Sequence, residues 1–373
     1  MGSPSQATVE VEERHRFDEG SLERFLSKQL PGFKGSLAVK KFGYGQSNPT
    51  FFVSTSEGQK YVLRKKPSGK LIKGAHAVDR EFRVMEALGK VGFKVPRMYL
   101  FCEEDAVIGT PFYVMSFVEG QIVDNGLHKL LPAQRRPAMI SIVTALAKLH
   151  SYDPLVLGLV GGDVPFGKVG GFYERQISTM MRTSESQVTG SEGKVSQLRS
   201  MPELLSLYAA NMPEDRSCVI HGDWKPDNVI LSDSNDSPSV LAIVDWELST
   251  IGHPMSDLAN MCLPYHLGEM GKLVSYPPFD LSKGSGNLSE QEVHRIYCEA
   301  AGMAYPIAKW NFFISFACFR LSVIIQGVAM RAARGQASQA GSSMVDAMSE
   351  AANAMCDQAL TIMREAFGPS GKL

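Results

Sequence analysis

The stretch that most limits what this chain can fold into is Cys218-Val-Ile-His221-Gly222-Asp223-Trp224-Lys225-Pro226-Asp227-Asn228-Val-Ile-Leu231, followed by Leu241-Ala-Ile-Val-Asp245-Trp246-Glu247. Short apolar runs rich in β-branched residues bracket polar loops, which reads as strands carrying a cluster of His, Asp, Lys and Asn. Asp and Asn also cap turns around a proline such as Pro226, and any one of them alone has that reading. Together, at these spacings, they point to a site.

Phosphoryl transfer from ATP needs few groups: a carboxylate to orient the attacking hydroxyl and accept its proton, hard oxygen ligands for Mg²⁺, and a cation for the developing charge. Asp223 and Asn228, five residues apart, let one loop supply both base and metal ligand. Asp245, at the end of an apolar strand seventeen residues after Asn228, suits a hairpin that returns a second metal ligand to the same place. Lys225 offers a point charge for the γ-phosphate.

Around this stretch the hydrophobic period changes along the chain. Residues 1–16 are polar and charged and read as a flexible tail, without the apolar core of a signal peptide. Residues 17–30 predict an amphipathic helix stopped by Pro31-Gly32. From Leu37 to Arg64 the pattern is strand, turn, strand, turn, strand; a helix follows over 79–88, then strands at 95–101 and 111–118. Beyond Glu119-Gly120 long helices dominate, at 132–150, 172–181, 203–211, 290–302, 309–334 and 342–367, and Thr183–Ser196 reads as a mobile Ser/Gly/Thr-rich loop. The expected architecture is α+β and bilobal: 17–118 a nucleotide-binding lobe built on a small antiparallel sheet with one key helix, and 119–373 a larger, mainly helical catalytic and substrate-binding lobe.

Two motifs and four longer runs carry a resemblance to a known family. His221-Gly-Asp223-x₄-Asn228 and Ile243-Val-Asp245-Trp246 resemble the catalytic loop and metal-binding motif of the aminoglycoside phosphotransferase and choline kinase family of protein-kinase-like enzymes. Gly45-Gln-Ser-Asn48-Pro-Thr-Phe51, Tyr61-Val-Leu-Arg64-Lys-Lys-Pro67, Ala75-His-Ala-Val-Asp79-Arg-Glu81-Phe82 and Asp245-Trp-Glu-Leu-Ser-Thr-Ile-Gly-His253-Pro are similar to the kinase-like domain at the N-terminus of certain acyl-CoA dehydrogenases. The resemblance implies ATP and Mg²⁺ as cofactors, Asp223 as catalytic base, and Asn228 and Asp245 as metal ligands. It places Arg64 where kinases use a Lys on the phosphates, with Glu81 as its ion-pair partner, although Arg is not interchangeable with Lys. Lys65, the neighbour, falls on the opposite face of the strand. Gly43, Gly45 and Ser47 lie in the turn that would cover the phosphates, Met115 and Phe117 where the adenine would sit, and His221 and Asp257 in supporting roles. The implied acceptor is a small-molecule hydroxyl, on a hydroxyacyl-CoA or a hydroxy acid, and the implied partner is an acyl-CoA dehydrogenase domain or protein.

Three other readings compete. A catalytically idle nucleotide- or acyl-CoA-binding module would need no intact set of acids. A protein kinase fits Asp223-x-Lys225-Pro-x-Asn228, but Gly222 stands before the Asp and Asp245-Trp-Glu replaces D-F-G. An antibiotic kinase calls for an acidic pocket, and Gly158–Ser200 is not rich in acids. Lys+Arg 38 against Asp+Glu 39 gives a net charge of −1, which argues against a nucleic-acid partner. Six scattered cysteines, with no C-x-x-C pair or His at zinc spacing, suggest neither disulfides nor a structural metal. Trp310–Met330 is the most apolar stretch and reads as a buried core helix, with no membrane span expected. A cytoplasmic or organellar location fits, and the final Gly371-Lys372-Leu373 resembles a peroxisomal address.

Overall fold

A computed structural model of the chain describes residues 8–43, 48–67, 77–161, 164–274, 276–335 and 342–368. In chain order the elements are β1 (Thr8–Val9), α1 (Glu19–Gln29), β2 (Leu37–Phe42), β3 (Thr50–Thr55), β4 (Lys60–Lys65), α2 (Val78–Lys90), β5 (Met98–Cys102), α3 (Asp105–Ile108), β6 (Phe112–Ser116), β7 (Gln121–Ile122) and α4 (Pro132–His150). They continue with α5 (Phe172–Gly190), α6 (Met201–Ala210), β8 (Cys218–Ile220), β9 (Val229–Leu231), β10 (Val240–Ile243), β11 (Thr250–Gly252), α7 (Met255–Cys262), α8 (Glu290–Ala301), α9 (Trp310–Ala333) and α10 (Ser342–Phe367). The chain divides into two units: residues 1–166, 221–250 and 282–288 form one, and residues 167–220, 251–281 and 289–373 the other.

The first unit is organised by a six-stranded sheet in the order β1-β2-β3-β4-β6-β5, with every pairing antiparallel. Alternation along β3 buries Phe51 and Val53, which pack with Leu63, Phe112 and Val114 of the neighbouring strands and with Leu22 and Leu26 of α1. That spacing of four in α1 puts both leucines on one stripe. Asp18 starts the helix by accepting from the Ser21 N–H at 2.8 Å, satisfying one of its free donors. Within the stretch expected as a tail, Thr8 and Val9 pair with Phe42 and Lys41. A smaller sheet, β10-β9-β7, joins the same unit. It is tied to α4 where the Val240 N–H donates to Ser141 Oγ at 3.0 Å.

The second unit is mainly helical. In α9, Phe312, Phe316 and Phe319 pack around Tyr208, whose hydroxyl meets Ser315 Oγ at 2.9 Å. This is the one helix among the described residues long and apolar enough to cross a membrane, and 83% of its most apolar window is buried inside the protein. The segment expected as a loop at 183–196 is largely helical, since α5 runs on to Gly190. Two of its serines are held by tertiary contacts: Ser184 Oγ donates to Gln326 Oε1 at 2.7 Å, and Ser196 O accepts from Gln326 Nε2 at 3.0 Å. Such buried bonds override a weak local propensity.

Candidate active site

Arg64 is the hub of the first unit's charged groups. On β4 it sits opposite Thr50 of β3 and Tyr113 of β6, so the sheet holds it from both sides. Its Nε lies 3.2 Å from Glu81 Oε2, and its Nη2 lies 2.8 Å from Asp245 Oδ1 and 3.4 Å from Glu247 Oε2. Burial works against the Arg64 charge, but Glu81, Tyr113 and Asp245 more than compensate, and its pKa is raised. Glu81 is fully buried inside α2. That burial pushes its carboxyl up to about 7, with Arg64 pulling down and Asp245 and Glu247 pushing further up. Lys65 takes the other face of the strand, 2% exposed and 5.8 Å from the Phe17 ring.

The loop after β8 is held by its own backbone. Gly222 adopts φ +84, and a Cβ built there would lie 2.3 Å from Leu248 O, so only glycine fits the close approach. His221 is fully buried. Its Nε2 donates to Val244 O at 2.9 Å, its Nδ1 accepts from the Asp223 N–H at 3.3 Å, and its ring packs on Trp246 at 4.7 Å. The Val244 N–H in turn donates to Asn228 O at 3.0 Å. One residue, immediately before Asp245, thus ties the loop to the second motif. Asp245 itself takes a left-handed conformation at φ 66, which turns the chain out of β10.

Within the loop, Asn228 Nδ2 donates to Asp223 O at 2.9 Å and to Asp223 Oδ2 at 3.2 Å. Lys225 Nζ lies 3.2 Å from Asp223 Oδ2 and 3.6 Å from Asp227 Oδ2. Burial pushes Asp227 up to about 6 against the pull of Lys225. Asn125, 102 residues away in sequence, clamps the loop from outside: its Oδ1 accepts from the Asp227 N–H at 3.2 Å and its Nδ2 donates to Asp227 Oδ2 at 3.3 Å. Asn125 and Glu247 were not among the residues expected from the sequence. Glu247 stands two residues after Asp245 and was visible there; nothing in the sequence marks Asn125.

A cavity of about 180 Å³ brings the predicted residues together. Arg64, Asn228 and Asp245 line its polar end, and Val62, Met115, Phe117 and Ile230 line its apolar part. Phe117 is fixed by an edge contact to Phe52 at 5.0 Å and a stack on Phe42 at 6.5 Å. Gly43 is exposed at the end of β2, while Gly45 and Ser47 lie outside the described residues. Asp257 is fully buried in α7, in the second unit.

The sequence profile of the phosphotransferase enzyme family matches residues 38–272. The chain belongs to that family. Acyl-CoA dehydrogenase family member 11 of Gallus gallus is 41% identical over 339 residues, covering 89% of this chain and 42% of the relative. The chain therefore spans about two fifths of that relative's length. A Ralstonia eutropha protein solved as a candidate aminoglycoside phosphotransferase matches with a TM-score of 0.79 at 32% identity, covering 94% of this chain and 99% of the other. The GDP complex of an aminoglycoside 2'-phosphotransferase-IIIa mutant matches with a TM-score of 0.57 at 18% identity over 91% of this chain and 100% of that one, a likeness of fold. The fold is the kinase-like α+β fold these phosphotransferases share.

The close approach at Gly222 gives a stability prediction. Gly222→Ala strains a φ that L-residues rarely adopt and drives a methyl into a backbone carbonyl. A loss of about 2–4 kcal/mol in a denaturant titration is expected; a change below about 0.5 kcal/mol would show that the loop relaxes freely.

Proposed function

We propose that this member of the family transfers the γ-phosphoryl group of ATP to the hydroxyl of a small molecule, with Asp223 as the base. The observation that carries the reading is the cavity in which Arg64 from the sheet meets Asn228 and Asp245 from the two motifs, with Val62, Met115, Phe117 and Ile230 also in its lining. The donor chemistry fits Mg²⁺. The Asn228 amide nitrogen is committed to Asp223, which leaves its oxygen as a hard donor beside the carboxylate of Asp245. Bound there, Mg²⁺ would neutralise charge on the phosphates. Arg64, pre-oriented by Glu81, offers a bidentate fork to phosphate oxygens in place of a lysine's point charge. Met115 and Phe117, in the apolar lining, would meet the base, and Gly43 would lead into the turn over the phosphates. Asp223, held between Asn228 and Lys225, positions the acceptor hydroxyl and takes its proton; Lys225 steadies the charge that develops. His221 braces the loop and Asp257 is a supporting acid.

The acceptor we infer is a hydroxyacyl-CoA or a hydroxy acid, because the Gallus gallus relative is named an acyl-CoA dehydrogenase. An acyl-CoA dehydrogenase domain or protein is the corresponding partner. Gly371-Lys372-Leu373, the stretch that resembles a peroxisomal address, lies outside the described residues. The test is ATP-to-ADP turnover with Mg²⁺ over a panel of hydroxyacyl-CoAs, free hydroxy acids, choline and aminoglycosides. Turnover demanding one acceptor class supports the proposal. Nucleotide binding without acceptor-stimulated turnover favours the idle binding module.

The role of Arg64 has its own test. Arg64→Ala removes charge-assisted hydrogen bonds to the nucleotide and is expected to raise the KM for ATP about 10- to 100-fold. Arg64→Lys keeps the charge and should raise it less. An unchanged KM in Arg64→Ala would remove Arg64 from the phosphate site.

A further inference from the structure

Apart from the kinase site, the second unit gathers a set of side chains that the phosphoryl-transfer reading leaves unused. Cys262 ends α7, His266 follows one turn later, and α8 begins with Glu290 and carries His294 four residues on. The spacings Cys-x₃-His and Glu-x₃-His each put two donors on one side of a turn, and the fold sets the two pairs against each other. Cys262 Sγ, a carboxylate oxygen of Glu290 and a ring nitrogen of His294 lie within 4.8 Å of one another. Sequence spacing alone concealed this, because the two pairs are separated by 24 residues.

Two further observations point to a ligand. The Nε2 of His294 is buried without a hydrogen-bond partner, 3.8 Å from Glu290 Oε1, and the residue is only 8% exposed. A buried polar atom left in this way is rare in native proteins and calls for an ion or water to explain it. Glu290 is also oriented by outer partners: its Oε1 lies 2.7 Å from His266 Nε2 and accepts from Trp310 Nε1 at 3.1 Å. Hydrogen bonds of this kind orient a metal-binding carboxylate.

We infer that Cys262, Glu290 and His294 form a site for a divalent transition metal of the zinc type, linking the end of α7 to the start of α8. A thiolate, an imidazole and a carboxylate suit Zn²⁺ and Co²⁺; they do not suit Mg²⁺ or Ca²⁺, which take oxygen donors. At zinc bond lengths the ligand atoms stand roughly 3.3–3.6 Å apart, so donors now within 4.8 Å of one another close by up to about 1.5 Å on binding. Cys262 binds as the thiolate and its proton leaves to solvent. His266 stays on the Glu290 carboxylate as its outer partner, and the fourth position is left to water. The role is structural: an ion here fixes two helices of the second unit and takes no part in phosphoryl transfer.

The experiment is a titration of the metal-free full chain with Co²⁺ under excess Mg²⁺. Mg²⁺ occupies the oxygen ligands of the kinase site, which in any case give no thiolate signal. The expected result is one equivalent of Co²⁺ with a near-ultraviolet thiolate-to-cobalt charge-transfer band, lost in Cys262→Ser and weakened at least tenfold in affinity in His294→Gln. In parallel, protein purified after growth with zinc should carry one equivalent by mass spectrometry, and a chelator should lower its Tm. Zinc-grown wild type that carries no metal and whose Tm ignores the chelator overturns the site, whether or not the variants fold. A band that survives in Cys262→Ser overturns it too, assigning the metal to another of the six cysteines.

Discussion

Asp223→Ala lowers kcat by about 10²- to 10⁴-fold, the span of a positioned general base, while the KM for ATP changes by no more than a few fold. The split follows from where the carboxylate sits. Asp223 is absent from the lining of the cavity proposed for the nucleotide, which includes Arg64, Asn228 and Asp245. Its Oδ2 is instead engaged by Asn228 Nδ2 and Lys225 Nζ, both at 3.2 Å, which holds the carboxylate in one orientation for an incoming hydroxyl. Asp223→Asn is the sharper variant, because it keeps the shape and removes the proton acceptor; it should lose nearly as much as the alanine. Both variants should keep their Tm within a few degrees, since the ties through His221, Val244 and the Asp223 backbone remain when the carboxylate is changed. A raised KM for ATP with kcat intact would make Asp223 a binding residue. Full activity in Asp223→Asn would place the base elsewhere.

How much of this site could be read in the sequence depended on how local each contact is. Asp223, Lys225, Asn228 and Asp245 fall within 23 residues, and the chemistry of their types at those intervals is legible before any fold is known. Arg64 and Glu81 were reached through resemblance, and the 3.2 Å contact between them joins a strand and a helix separated by 17 residues. Asn125 could not be found. Its pairing with Asp227 spans 102 residues and depends on how β7 lies against β9. The same limit applies to α5, where Ser184 reads as loop until Gln326, 142 residues on, supplies its buried partner. It applies again to Cys262 and His294, whose donor atoms come within 4.8 Å only in the folded chain. Hydrophobic period did well where burial alone decides, as in α9, whose stripe of phenylalanines is core whatever its neighbours are.

Asp245→Asn is expected to weaken Mg²⁺-dependent turnover by about 100-fold or more, because a metal-ligating charge contributes several kcal/mol to a phosphoryl-transfer transition state and each 1.36 kcal/mol is tenfold. Asparagine is the informative replacement. Asp245 has φ 66, a left-handed conformation that Asn tolerates better than other residues, so the turn out of β10 survives and the change is confined to charge. The substitution also acts on Arg64: the partner at 2.8 Å becomes a neutral amide oxygen, which leaves Glu81 and, at 3.4 Å, Glu247 as its charged partners. Removing Asp245 also removes one of the charges that raise the Glu81 pKa, so Glu81 ionises at lower pH than in the wild type. A carboxyl whose folded pKa is raised stabilises the fold below its unfolded pKa and loses that contribution as pH rises through about 7. The wild type should therefore lose more stability than Asp245→Asn between about pH 5 and 8, measured by denaturant titration at each pH. A Mg²⁺ titration of kcat/KM checks the metal role itself. Unchanged Mg²⁺ dependence in Asp245→Asn would separate this carboxylate from the metal and leave it as a counter-ion of Arg64.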